Sequence, residues 1–119
     1  MLLRSLAVAA LVAATPAFAA DPPQLAQCKV CHNFAKGQPN KIGPNLNGVV
    51  GRKAGAVAGF NYSAAFKAKA AGGLVWNAAT LDPWLTAPAK YIPGTKMAYA
   101  GLKDPAQRKA VIAYLTANK

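Results

Sequence analysis

Cys28-Lys29-Val30-Cys31-His32 is the stretch on which the reading of this chain turns. Two thiols separated by two residues and followed at once by an imidazole form the C-x-x-C-H pattern of covalent c-type haem attachment. The spacing has a mechanical basis. It lets both sulfurs reach the two vinyl groups on one edge of a porphyrin, and it sets the His32 imidazole under the iron. Three other chemistries fit less well. A thioredoxin-like dithiol follows a strand in a βαβ unit, and no alternating strand pattern occurs in this sequence. A tetrahedral zinc site needs four ligands. Cys28, Cys31 and His32 make three, in a chain with one His, two Cys and three acidic residues. A disulfide between Cys28 and Cys31 would close a loop too small to stabilise much.

Upstream of the motif lies an address. Met1 to Arg4 carry one positive charge, Ser5 to Ala14 are a short apolar stretch, and small residues stand at Ala17 and Ala19. This is the plan of a secretory signal peptide cleaved between Ala19 and Ala20. The alternative, an uncleaved N-terminal membrane anchor, is disfavoured by Pro16 and by an apolar stretch short of the roughly 18 residues of a span. The expected organisation is a signal peptide over 1–19 and one domain over 20–119. The expected location is the periplasm, outside the cytoplasm, where thioether attachment takes place.

The chain has 119 residues, enough for one small domain. Apolar residues make up 54%, too many for a disordered basic tail. Fourteen Lys and Arg against three acidic residues give +11, or +10 once Arg4 is removed (13 − 3). A field of that size speeds encounter with acidic partners and fades with salt. Nucleic acid would also be attracted, but no binding motif accompanies the charge and export removes DNA from reach.

The helix signals are few. Asp21 to Cys31 reads as a short helix with Pro22 and Pro23 in its first turn. Residues 33–59, rich in Gly, Asn and Pro, read as loops and turns. Asn61 or Ser63 caps a helix running to Ala71 and stopped by Gly72-Gly73. Thr80 precedes the stripe Leu81, Trp84 and Leu85, which Pro88 ends. Tyr91 to Gly101 reads as loop, with a turn at Pro93-Gly94. Asp104 caps the last helix, Pro105 opens it, and Val111, Ile112, Tyr114 and Leu115 form its buried face. The class is all-α with long loops. So little helix leaves a thin core, and something other than side chains is expected to fill the middle.

His32 is the only histidine and, after cleavage, Met97 the only methionine. Met97 sits in a Pro-Gly-Thr-Lys-Met loop, where neither helical nor strand periodicity explains it. A thioether suits haem iron, and a His/Met pair raises the reduction potential.

These residues, with Gly43-Pro44-Asn45-Leu46-Asn47-Gly48, Gly51-Arg52, Tyr62-Ser63, Trp76 and Tyr91-Ile92-Pro93-Gly94-Thr95-Lys96-Met97, make the chain resemble the class I cytochromes c of the mitochondrial and bacterial c2 group. The resemblance runs from Cys28 to the C-terminus. It implies a few helices and long loops wrapped around one haem c, attached through Cys28 and Cys31, with His32 and Met97 as iron ligands. It implies that the Pro44 carbonyl accepts from His32 Nδ1, and that Arg52, Tyr62, Trp76 and Thr95 surround a buried propionate. Lys96 becomes a candidate replacement ligand at alkaline pH.

The sequence also departs from that pattern. The N-terminal helix is short, and the residues that usually cross the C-terminal helix are reduced to Leu25. The contact with Tyr114 and Leu115 is therefore in doubt, and a less stable fold is expected. Trp84 stands where a tyrosine is common beside the Met ligand, Phe66 where an asparagine often sits, and Tyr99 where a phenylalanine lines the haem edge.

The function implied is one-electron transfer by a soluble monomeric carrier, not an enzyme. A gas-binding or peroxidatic haem protein with a labile Met97 is the rival. Lys29, Lys36, Lys41, Lys53, Lys90 and Lys96 flank segments expected around the haem edge. They would dock on acidic surfaces of redox partners, a cytochrome bc1-type donor and an oxidase, reaction centre or peroxidase acceptor.

Overall fold

Side-chain caps decide where the three longest helices begin among the described residues. The computed structural model describes residues 21–119 together with Ala7, so the expected signal peptide over 1–19 lies, Ala7 apart, outside the described residues. Five helices occur among the described residues: α1 (Leu25–Lys29), α2 (Ala64–Ala71), α3 (Ala78–Thr86), α4 (Pro88–Tyr91) and α5 (Pro105–Ala117). Ser63, not Asn61, caps α2, its hydroxyl accepting the Phe66 N–H at 3.0 Å. Asp104 caps α5 by accepting from Ala106 N at 2.8 Å and Gln107 N at 3.0 Å, with Pro105 in the first turn where a missing N–H costs nothing.

Three sequence expectations need correction. α3 begins before Thr80: Asn77 Oδ1 accepts the Thr80 N–H at 3.0 Å while Thr80 Oγ1 accepts the Asn77 N–H at 2.9 Å. This reciprocal capping box satisfies two end donors at once and makes Thr80 the third helical residue. Pro88 starts α4 rather than merely ending α3, so Tyr91 is helical and the following loop begins at Ile92. The N-terminal helix is shorter than 21–31, five residues preceded by a turn in which Leu25 N donates to the Pro22 carbonyl at 2.9 Å.

α3 packs on α5. Leu81, Trp84 and Leu85 meet Val111, Ile112 and Leu115 in one buried core. Arg108, also buried, ties the pair: Nε donates to Asp82 Oδ1 at 2.8 Å, and a terminal nitrogen donates to the Leu102 and Lys103 carbonyls at 3.0 Å each. Tyr114, expected among the buried residues, is only half-buried. Leu25 of α1 is 1% exposed in the same core. The aromatic contact to Tyr114 comes from Phe34, edge to face at 5.9 Å. A loop residue thus supplies what the short α1 does not.

The long loop is ordered by side-chain amides that stand in for a backbone ladder. Asn45 Nδ2 donates to the Ala35 and Gln38 carbonyls, each at 2.9 Å, and Asn118 Nδ2 reaches the Phe34 carbonyl at 2.9 Å. One antiparallel bridge, Lys53 to Val75, is flanked by Gly51 N to Trp76 O at 2.7 Å and Trp76 N to Arg52 O at 2.9 Å. That pairing fixes Arg52 beside Trp76. No helix among the described residues is long and apolar enough to cross a membrane.

Candidate functional site

Between α1, α3, α5 and the two long loops the chain builds a cavity of about 240 Å³. Protein interiors seldom hold voids much larger than one water, about 30 Å³. This space is instead built into the fold, and Leu25, Phe34, Phe66, Leu81, Trp84 and Leu85 wall it. Its polar and sulfur groups are few. Cys28, Cys31, His32, Pro44, Arg52, Tyr62, Trp76, Thr95 and Met97, the nine site residues expected from the sequence, all lie on this one cavity.

Cys28 is on α1, and the turn that ends the helix carries the other two groups of the motif: Cys31 N donates to the Cys28 carbonyl at 3.1 Å and His32 N to the same oxygen at 2.9 Å. Both cysteines are free thiols, each partly buried. Burial pushes the Cys28 thiol up. His32 Nδ1 lies 2.7 Å from the Pro44 carbonyl and donates to it. Burial lowers the imidazole pKa, keeping the ring neutral. With Nδ1 carrying the proton, Nε2 keeps its lone pair for a metal.

Gly43 makes room for this ring. A Cβ there would sit 2.2 Å from His32 Cε1 and 2.6 Å from Nδ1. The Gly43 N–H anchors the strap by donating to the Cys31 carbonyl at 2.8 Å. Nothing in the Gly43–Gly48 stretch of sequence marks this role for Gly43; only the packing supplies it.

Arg52 uses its guanidinium to hold the loop, donating to the Asn45 carbonyl at 3.0 Å and to the Asn47 carbonyl. Tyr62 Oη accepts the Val57 N–H at 3.1 Å, which leaves its own O–H to donate. Thr95 Oγ1 accepts the Met97 N–H at 3.4 Å and likewise keeps a proton to give. The Arg52 cation and the Tyr62 and Thr95 hydroxyls, on a mostly apolar cavity, suit a buried carboxylate. Phe66 and Trp84 do not stand alone. Phe66 stacks on Tyr62 at 4.9 Å and meets Trp84 edge-on at 5.8 Å, and Trp76 lies 5.4 Å from Trp84. Trp84 is thus part of an aromatic wall on that side of the cavity.

Met97, half-buried, borders the cavity from the loop after α4. That loop turns at Gly94, whose φ of 88° is left-handed and whose added Cβ would come within 3.0 Å of Ala65. Lys96 Nζ donates to the Asn61 carbonyl at 3.3 Å. At the other end of the loop Tyr99 donates to Gln27 Oε1 at 3.1 Å. Gln27 gave no signal in the sequence, being one exposed amide on a short helix.

Two thiols, a neutral imidazole with a free nitrogen and a thioether, all bordering one apolar cavity, fit an iron porphyrin. Soft sulfur and imidazole donors suit its metal, and the aromatic and aliphatic walls suit its ring.

Comparison with known proteins agrees. A family model described as cytochrome c matches residues 18–119. Cytochrome c from Cochliobolus lunatus is 51% identical over 89 residues, 75% of this chain and 80% of that protein. Cytochrome c2 iso-2 from Magnetospirillum fulvum is 50% identical over 94 residues, 79% of this chain and 94% of its own length. Among solved structures, cytochrome cH from Methylobacterium extorquens superposes with a TM-score of 0.70 at 46% identity, covering 78% of this chain and 90% of that one.

Proposed function

The chain belongs to the cytochrome c family, electron-transfer proteins that bind haem c covalently, and on that premise we propose a residue assignment and a setting for its electron transfer. Cys28 and Cys31 form the two thioethers. His32 Nε2 and the Met97 sulfur would hold the iron. The observation that carries this is the single cavity bordered by all four, with His32 Nδ1 donating to Pro44 at 2.7 Å.

Haem c supplies one-electron exchange between Fe(II) and Fe(III). The chain's part is to keep the coordination the same in both states. Pro44 fixes the His32 ring and its tautomer, and the resulting partial negative charge on the imidazole strengthens donation to iron. The neutral Met97 sulfur and the apolar wall disfavour the extra positive charge of Fe(III), which raises the potential. Arg52, Tyr62, Trp76 and Thr95 hold the inner propionate. With His32 and Met97 both given to the iron, the chain would leave no place there for a substrate, which suits electron transfer.

The surface then selects partners. All three acidic residues are engaged locally: Asp21 with Lys29 at 3.1 Å, Asp82 with Arg108 at 2.8 Å, and Asp104 at the start of α5. The remaining charge is carried mainly by lysines, among them Lys96, which borders the cavity, and Lys41, close enough to His32 to act on its charge. This favours transient docking on acidic faces of respiratory or photosynthetic complexes, a cytochrome bc1-type donor and an oxidase, reaction centre or peroxidase acceptor. Residues 1–19 are a cleaved export signal, and the protein works as a monomer in the periplasm.

Absorption spectra of the oxidised and reduced protein, exported from a host able to attach haem, test the assignment. A low-spin spectrum with Met–iron coordination, and no rapid full binding of carbon monoxide at neutral pH, is expected. A five-coordinate reduced iron that takes up carbon monoxide at once would overturn it.

A further inference from the structure

We propose that Tyr99 and Gln27 form a latch: the Tyr99 phenol, donating to the Gln27 side-chain carbonyl at the edge of the cavity, holds the Met97 loop in place and thereby sets how readily Met97 leaves an iron bound there. The proposal rests on Met97 being the ligand and extends that reading to residues that do not touch the metal.

Three observations support it. The first is how little else holds the loop. Thr95 N donates to the Ile92 carbonyl at 3.0 Å and Leu102 N to the Leu85 carbonyl at 2.7 Å, so both ends are pinned. Between them, residues 98–101 make no backbone hydrogen bond among the described residues. Met97 packs its side chain against the core, but its one hydrogen bond among the described residues is the long 3.4 Å contact from its N–H to Thr95 Oγ1. The Tyr99 hydroxyl therefore makes the one hydrogen bond of the 98–101 segment, to a residue 72 positions away.

The second is what the bond is tied to. Gln27 precedes Cys28 on α1, and two residues before Gln27 stands Leu25, 1% exposed and locked in the core. The latch thus joins the segment that carries the thioether to the segment that carries the attachment cysteines. The third is the ring. Both Tyr99 and Gln27 border the cavity. A phenylalanine at position 99 would keep the apolar wall but lose the donor, so the hydroxyl is the part of the residue that the wall does not require.

A loop with few backbone bonds opens at low cost, and each opening exposes the metal to competing ligands. One net hydrogen bond to a neutral acceptor changes such an equilibrium by about two- to tenfold. Imidazole added to the ferric holoprotein is the probe, and loss of the Met–iron charge-transfer band is the readout. Tyr99→Phe is expected to bind imidazole about two- to tenfold more tightly than the parent, as one hydrogen bond allows. Gln27→Leu should do the same, and the double variant should go no further than either single one. Gln27→Glu, which keeps an acceptor in reach, should stay close to the parent. Unchanged imidazole affinity in Tyr99→Phe, or additive effects in the double variant, would overturn the latch. Failure of the underlying reading looks different: the unsubstituted ferric protein would then lack the Met–iron band altogether.

Discussion

Placing a methyl group at position 43 tests the proximal side of the cavity most severely. The Gly43 backbone does not need left-handed torsion angles, so Gly43→Ala acts through space alone. The new carbon would lie 2.2 Å from His32 Cε1, whereas ordinary contact begins at 3.4 Å, so ring or strap must retreat by about 1.2 Å. The His32 ring cannot retreat and keep its 2.7 Å bond to Pro44. Overpacking of a tight site costs about 1–3 kcal/mol, and loss of the hydrogen bond adds about 0.5–1.5 kcal/mol. Together these give about 2–4 kcal/mol, which in a domain of this size lowers Tm by on the order of 10–20 °C. Thermal unfolding of the ferric and ferrous holoprotein measures the loss, and the reduction potential of the same samples reports on the disturbed His32–iron bond. Gly72→Ala is the matched comparison. Its added carbon meets nothing nearer than the Lys69 carbonyl at 3.3 Å, at the C-terminal end of a helix. It should stay within about 1 kcal/mol of the parent, as surface changes usually do. Equal effects of the two substitutions would refute the argument that Gly43 exists to seat the His32 ring.

Met97→Ala is expected to lower the reduction potential and abolish the Met–iron band, because water or a lysine must then complete the coordination; an unchanged potential and spectrum would remove Met97 from the ligand set. Arg108→Leu should destabilise the protein by about 2–3 kcal/mol in denaturant unfolding, mostly from the stranded Leu102 and Lys103 carbonyls, since Asp82 is 53% exposed and its ion pair is screened. A loss under about 0.5 kcal/mol, the usual bound for surface changes, would show that this tie does not hold α3 to α5. Lys41→Glu should slow association with an acidic redox partner at low ionic strength and have little effect once salt shortens the screening length. Slowing that persists undiminished in high salt would contradict steering by charge.

Local chemistry was legible in the sequence, and pairing across distance was not. The attachment motif, the Asp104-Pro105 start of α5 and the Gly72-Gly73 stop of α2 each lie within a few residues and carry their own physical cause. Asn77 was missed as the start of α3 because the apolar stripe begins later, at Leu81, although the Asn77 to Thr80 capping spacing was there to be read. α4 was missed because a proline that ends one helix can equally open the next. The tie of Arg108 to Asp82 spans 26 residues and that of Tyr99 to Gln27 spans 72. Neither leaves a periodic trace, since each depends on which loop the fold lays against which helix. The short α1 suggested a weak crossing with α5, and Phe34 reaching Tyr114 from the loop could not be foreseen from periodicity. All nine residues named for the candidate site border one cavity, and most were legible in the sequence because they carry chemistry that a core does not need. Gly43 and Gln27 do their work by shape and reach, which only packing reveals.

The intact mass of the purified, unfolded and reduced chain, taken with a count of alkylatable thiols, tests the central assignment most directly. Attachment through Cys28 and Cys31 predicts a chain heavier by one haem with neither cysteine open to alkylation. A chain of unmodified mass whose two thiols both react, from cells that assemble c-type haem proteins, would contradict it.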